Sequence, residues 1–155
     1  MNELGRESKD ENDLFFVCSV IEYIGRKTKN RRSAVVEKIG GKEIARTLEL
    51  ADVLHCEPVE NTGDGLIEKY HITKGDFDNV AKCEYNVPTH FDIAKVYKRL
   101  IWAVSGAKGI SAADALKEVY GSWISAKIDD YNSSMYFENP QYLYESYRAQ
   151  KPIGE

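Results

Sequence analysis

The sequence predicts an all-α fold, a compact bundle of about six or seven helices. Apolar side chains recur every three or four residues over most of the chain, which is the period of an amphipathic helix. Residues typical of helix caps stand at the borders of these segments. Alternating runs that would indicate strands are scarce, and 134–137 is the only short candidate. A chain of 155 residues can bury one core, so a single domain over 12–155 is expected.

Four helices are predicted in the first half. The first is capped by Asn12 or Asp13 and follows a charged lead-in, 1–11, that we expect to be disordered. A second helix covers 32–39 and ends at two consecutive glycines. The third covers 42–55, and a fourth runs from Pro58 to about Tyr70. The apolar stripe of the first helix consists of Leu14, Val17, Cys18, Ile21 and Ile24.

The segment 73–87 has the weakest pattern in the chain. It contains one glycine, two aspartates and an asparagine within a few residues, which favours a loop or a short helical turn. It is therefore the candidate hinge between two helical subdomains.

Cap patterns define the helices of the second half. Thr89 stands three residues before Asp92, as in a capping box, and the helix that follows stops between Gly106 and Gly109. A second capping pattern starts at Ser111 and predicts one continuous helix to residue 127. Trp123 falls on the inner face of that helix, so it is expected to anchor the core. The inner faces predicted for these two helices also include Ile93, Tyr97, Ile101, Tyr120 and Lys127. A last helix covers 140–148, with proline in its first turn.

Composition narrows the class of protein. The formal charge is −4, which argues against general affinity for nucleic acid. No apolar run reaches the length of a membrane span, and residues 1–12 lack a signal-peptide pattern, so a cytoplasmic location is expected. The three cysteines, Cys18, Cys56 and Cys83, are far apart and form neither a disulfide framework nor a CxxC motif.

No pattern indicates catalysis, a cofactor or a metal. His55 and Cys56 are adjacent, but a metal needs three or four converging ligands, and the other histidines are isolated. Asp129 and Asp130 are consecutive at a predicted helix end, where carboxylates are usually solvated. We therefore expect a protein that is not an enzyme.

A basic cluster supports an alternative interpretation, a helix-turn-helix DNA-binding protein. The cluster precedes a short helix, a glycine turn and a longer helix, which is compatible with that motif. The second helix, however, carries Glu43, Glu49 and Asp52, which would repel phosphate. The cluster consists of Arg26, Lys27, Lys29, Arg31 and Arg32.

Tyrosine is concentrated near the C-terminal end. A core strip would rarely contain so many phenols, because each buried hydroxyl needs a hydrogen-bond partner. A recognition surface uses tyrosine for its large contact area at low entropic cost. Two interpretations stay open: an exposed binding patch, or a last helix docked through Leu143 and Tyr147. The cluster consists of Tyr131, Tyr136, Tyr142, Tyr144 and Tyr147, five of the ten tyrosines.

Residues 14–72 begin with an aromatic and apolar helix that ends in Glu22-Tyr23-Ile24. A polar break and a short Val-rich helix follow, and then the segments ELADVLH and LIEKYHI. In these features the chain resembles a family of small helical bacterial proteins of unknown function. Their genes often lie beside genes for ADP-ribosyltransferase-like toxins, so the resemblance implies an interacting or antitoxin-like role. We expect a regulatory protein that binds a protein partner and acts by steric occlusion.

Overall fold

The computed structural model describes residues 8–154, and over these residues the predicted all-α class is confirmed. The described residues form more elements than the six or seven helices expected. They are α1 (Lys9–Thr28), α2 (Arg32–Ile39), α3 (Gly41–Leu54), α4 (Val59–Lys69), α5 (Asn79–Lys82), α6 (His90–Lys108), α7 (Ala112–Tyr120), α8 (Trp123–Asp129), a 3₁₀ turn (Met135–Phe137) and α9 (Pro140–Ala149).

Helix α1 begins at Lys9, and its cap is Ser8, four or five residues before the predicted cap at Asn12 or Asp13. The Ser8 hydroxyl accepts the Glu11 N–H at 3.2 Å, and the Glu11 carboxylate accepts the Ser8 N–H at 3.3 Å. This capping box lies outside the apolar stripe, so the stripe alone places the start too late. Of the predicted lead-in, residues 1–7 lie outside the described residues, whereas 8–11 form the cap and first turn.

The two longest helices, α1 and α6, pack against each other at the centre of the molecule. Helices α2, α3 and α4 pack on α1, while α7 and α9 pack on α6. The predicted stripes supply the buried surfaces, as the complete burial of Leu14, Ile93 and Ile101 shows. Within residues 8–154, no helix combines the length and the apolar character that a membrane span requires.

The helix predicted over 111–127 is divided into α7 and α8, which corrects the prediction of one continuous helix. The Ser122 hydroxyl donates to the Val119 carbonyl at 2.7 Å, and the Gly121 N–H ends α7 on the Lys117 carbonyl. Such a local side-chain bond competes with helix continuation. The break turns Trp123 away from the predicted inner face, so it is only partly buried instead of anchoring the core.

Two other segments with weak sequence patterns contain short helical elements. The strand candidate 134–137 is a 3₁₀ turn, and the candidate hinge 73–87 contains the short helix α5. Two backbone bonds tie that hinge segment to the end of α1: Gly75 N–H donates to the Thr28 carbonyl, and Phe77 N–H to the Lys29 carbonyl, each at 2.8 Å. These contacts join residues far apart in sequence, which a local pattern does not reveal.

Candidate functional site

An aromatic groove lies between α6, the α7–α8 corner and α9. Its volume is about 750 Å³. Its lining includes Trp123 from α8 and both Tyr144 and Tyr147 from α9. We call this concavity the tyrosine groove. It brings two of the five predicted tyrosines together with a tryptophan that sequence analysis placed in the core.

Helix α9 holds the two groove tyrosines in place. The Asn139 side chain caps the helix by accepting the Tyr142 N–H at 2.8 Å, and Pro140 occupies the first turn. Leu143 and Ser146 are buried against the bundle. Tyr144 and Tyr147 are half-buried beside that anchoring face, so α9 is docked and still presents aromatic surface.

Ion pairs fix the rim of the tyrosine groove. Lys108 donates to both carboxylate oxygens of Glu118, each at 2.8 Å, and the Tyr147 hydroxyl also donates to Glu118. These hydrogen bonds, that from Lys108 first, lower the pKa of Glu118. Arg148 lies 5.8 Å from the centre of the Tyr144 ring. The groove therefore combines apolar walls with a polar, largely charge-balanced rim.

One polar atom in the groove wall has no partner. The Trp123 Nε1 is buried and has no hydrogen-bond partner among the described residues. A buried donor without an acceptor is unusual in a folded protein and calls for an explanation. It marks the groove as a place where an acceptor from another molecule would improve the hydrogen bonding.

The other three predicted tyrosines do not join the groove. Tyr131 is 2% exposed, so it belongs to the interior and is not part of a surface patch. Its hydroxyl accepts a hydrogen bond from Arg26 at 3.0 Å. Tyr136 lies in the 3₁₀ turn, with its ring 5.8 Å from that of Tyr131. Tyr142 is partly buried beside the core. The five tyrosines are close together in the sequence, but the fold separates them.

The predicted basic cluster is dispersed in the same way. Arg32 is 0% exposed, so it cannot contact a phosphate in this fold, and Arg26 is bonded to the Pro88 carbonyl at 2.8 Å. Lys27 pairs with Asp64 and Lys29 with Asp78. Only Arg31 is exposed without an ion pair to a described residue, and its guanidinium lies 4.4 Å from the centre of the Phe77 ring. The five basic side chains of the cluster therefore do not form one continuous exposed surface.

Arg32 instead belongs to a polar cluster at the centre of the bundle. Its Nε donates to the Glu22 carboxylate at 3.1 Å, and both side chains are 0% exposed. The Tyr120 hydroxyl donates to the other Glu22 oxygen at 3.0 Å. The Tyr97 and Tyr120 rings stack 3.9 Å apart. We call the set Glu22, Arg32, Tyr97, Tyr120 and Asp129 the inner polar cluster.

Asp129 adds a second carboxyl group to this cluster. It is 2% exposed, which corrects its expected position as a solvated helix-end charge, whereas Asp130 is exposed. The Tyr97 hydroxyl donates to Asp129 at 2.7 Å. Burial, and then the nearby Glu22 carboxylate, raise the pKa of Asp129 to about 7. Asp129 therefore shares the interior with Glu22 by retaining its proton in acidic and near-neutral solution.

Sequence reasoning missed this cluster because its members occupy five helices. The apolar periodicity correctly predicted that Tyr97 and Tyr120 face inward. The available signal for the rest was Glu22, a carboxylate one turn after Cys18 on the apolar face of α1. A charge on such a face requires a buried partner, but it does not identify Arg32 as that partner.

The remaining candidate residues, the histidines and cysteines, do not come together as a binding site among the described residues. His55 and Cys56 are exposed at the end of α3. Within residues 8–154, no group of three or more His, Cys, Asp or Glu side chains is arranged to hold a metal ion. Cys18 is completely buried, and burial raises the pKa of its thiol, which disfavours the reactive thiolate.

No family model, no curated protein and no solved structure matches this chain. The family resemblance of residues 14–72 therefore stays a prediction, and the function has to be inferred from the geometry described above.

Proposed function

We propose that this chain is a non-catalytic regulatory protein that binds a segment of a partner protein in the tyrosine groove. The observation that carries the proposal is the arrangement of Trp123, Tyr144 and Tyr147 around one open concavity of about 750 Å³. Tryptophan, tyrosine and arginine are the residues that most often concentrate binding energy at protein interfaces. Arg148, beside Tyr144, adds the arginine.

The chemistry of the groove favours a particular kind of segment. Apolar walls favour a large aliphatic or aromatic side chain, because its burial removes apolar surface from water on both partners. The rim charges are already paired within the chain, which favours an uncharged anchor. A backbone carbonyl beside that anchor would supply an acceptor for Trp123 Nε1 after a small shift of the indole. The expected ligand is thus an extended or helical peptide segment with one apolar anchor.

Binding in this groove would regulate the partner by covering the inserted segment. Such steric occlusion needs no catalytic group and no cofactor in this chain. It also agrees with the antitoxin-like role that the resemblance of residues 14–72 implies. A toxin or a defence component encoded nearby is the partner that we would test first.

The test compares two tyrosines. Immobilised wild-type protein, Tyr144→Ala and Tyr85→Ala would be used to capture proteins from a lysate of the native host, followed by mass spectrometry. Tyr85 is 68% exposed and does not line the tyrosine groove, so it is a matched control. The captured protein would then be purified and titrated against all three forms.

Tyr144→Ala should weaken binding by about 2 kcal/mol or more, as expected for an interface hot spot, and Tyr85→Ala should leave it unchanged. The melting temperature should change little for either variant, because Leu143 and Ser146 hold α9 in place. A partner that binds wild type and Tyr144→Ala equally well, but not Tyr85→Ala, would place the interface elsewhere.

A further inference from the structure

A second concavity, which shares no lining residue with the tyrosine groove, collects positive charge. Its volume is about 380 Å³, and it lies between the start of α2, the short helix α5 and the end of α8. Each of these elements contributes one exposed cation at its rim: Arg31, Lys82 and Lys127. We call this concavity the basic cavity. Lys127 was predicted on an inner face, but it is exposed near the end of α8.

The three cations of the basic cavity are not neutralised by the protein. None of them forms an ion pair with a residue in the described part of the chain, whereas the neighbouring Lys29 is paired with Asp78 at 3.3 Å. Three like charges around one small concavity repel one another. A bound anion would remove that repulsion and form charge-assisted hydrogen bonds with all three.

The two carboxyl groups that line the basic cavity have other partners. Asp129 is turned inward to the Tyr97 hydroxyl at 2.7 Å. One oxygen of Asp130 accepts the Asn132 N–H at 3.0 Å, which stabilises the turn after α8. Even with both carboxyl groups ionised, the three cations outnumber them, so positive charge prevails in the cavity although the whole chain carries a formal charge of −4.

Contacts within the protein hold two of the residues that line the basic cavity in place. Asn79 is 6% exposed, and its side-chain amide donates to the Asp129 carbonyl at 2.9 Å. Arg31 lies over the Phe77 ring at 4.4 Å, which restrains the guanidinium without using its hydrogen bonds. A pre-organised site loses less conformational entropy when a ligand binds.

We propose that the basic cavity binds a small phosphorylated compound. A phosphate group presents several oxygens that can accept hydrogen bonds from the three cations at once, and a guanidinium matches two of these oxygens. The volume falls in the range of small-molecule sites, not of an extended macromolecular interface. This site is separate from the tyrosine groove, so either one can be refuted without the other.

The proposal is tested by calorimetric titration of the full chain with three probes: inorganic phosphate, pyrophosphate and adenosine monophosphate. We expect saturable binding in the millimolar range or tighter, strongest for pyrophosphate and weakened by added salt. The combined variant Arg31→Gln, Lys82→Gln and Lys127→Gln should bind about tenfold more weakly or worse. Because all three side chains are exposed, this variant should remain folded, as circular dichroism would verify.

The matched control removes the same net charge elsewhere, by Lys38→Gln, Lys42→Gln and Lys95→Gln. These lysines are exposed and do not line the basic cavity, so phosphate binding should persist. An equal loss of phosphate binding in both triple variants would show that the binding depends only on net charge, which would overturn the proposal. So would the absence of binding to all three probes up to about 10 mM. Tighter, cavity-dependent binding of a single-stranded oligonucleotide would also overturn it, because the ligand would then be a nucleic acid.

Discussion

At the scale of single residues, the Glu22–Arg32 pair removes two charges completely from water. Arg32 also donates to the Asn30 carbonyl at 2.9 Å, and its side chain passes so close to Gly25 that an added Cβ would lie 2.3 Å from Arg32 Cδ. Burying charges is costly, so the pair persists only because its hydrogen bonds are satisfied.

Arg32→Met should destabilise the protein by about 3–5 kcal/mol, because it leaves Glu22 buried without its cation. The double variant Glu22→Gln with Arg32→Met removes both charges and should recover much of that loss. Urea unfolding measures both. A loss below about 1 kcal/mol in the single variant would show that water reaches Glu22.

Asp129 should make stability depend on pH. Its pKa is about 7 in the folded protein and near the ordinary value of 3.8 in the unfolded chain. The folded state therefore holds the proton more tightly. The resulting stabilisation is complete below about pH 4 and is lost as the pH rises through about 7.

Asp129→Asn cannot ionise, so it should lose less stability than the wild type between about pH 5 and pH 8. Burial, followed by the charge of Arg26, lowers the pKa of His90. The titration of His90 therefore makes stability rise with pH over part of this range, opposite to Asp129. Comparing the variant with wild type isolates the contribution of Asp129. Asp130→Asn, at the exposed neighbouring position, should follow the wild-type curve. Parallel curves for wild type and Asp129→Asn would contradict the retained proton.

At the scale of helices, α4 shows how one glycine can be required while its neighbour is not. A Cβ on Gly63 would lie 2.4 Å from Tyr23 Cδ2, because α4 crosses α1 closely there. The Tyr23 hydroxyl donates to Asp64 at 2.7 Å, so moving the ring would break that bond. At Gly65 an added Cβ would meet nothing within 4 Å.

Gly63→Ala should therefore destabilise the protein by about 1–3 kcal/mol through overpacking. Gly65→Ala should stabilise it by about 0.5–1 kcal/mol, since alanine loses less backbone entropy in a helix. Thermal unfolding of the two variants, two residues apart on one helix, gives the comparison. Equal changes would refute the close crossing of α1 and α4.

At the scale of the whole molecule, the inner polar cluster connects the two halves of the chain. Glu22 and Arg32 come from α1 and α2, whereas Tyr97, Tyr120 and Asp129 come from α6, α7 and α8. The packing of α1 on α6 crosses the same boundary. Neither half can expose this polar interior without losing its hydrogen-bond partners.

We therefore expect one cooperative unfolding transition for the whole chain. Far-UV circular dichroism, which follows all helices, should coincide with near-UV dichroism, which follows the packed aromatic rings. Two separated transitions would instead support independent helical subdomains joined at 73–87.

The sequence by itself determined the helical class and most helix borders. Apolar periodicity and caps are local, so the 32–39 helix and the Thr89 capping box are confirmed where the pattern placed them. Local signals also predicted the buried faces that include Tyr97 and Tyr120. For the candidate site, they predicted the tyrosine-rich end of the chain but not which rings share a surface.

Only the tertiary structure decided which side chains meet. The α7–α8 break moved Trp123 from the core to the tyrosine groove, and packing between distant helices buried Arg32 and Asp129. These outcomes depend on contacts between distant residues, such as Glu22 and Tyr120, 98 positions apart, for which neither spacing nor propensity carries information. The fold class follows from local periodicity, whereas a site depends on the long-range packing that brings separate helices together.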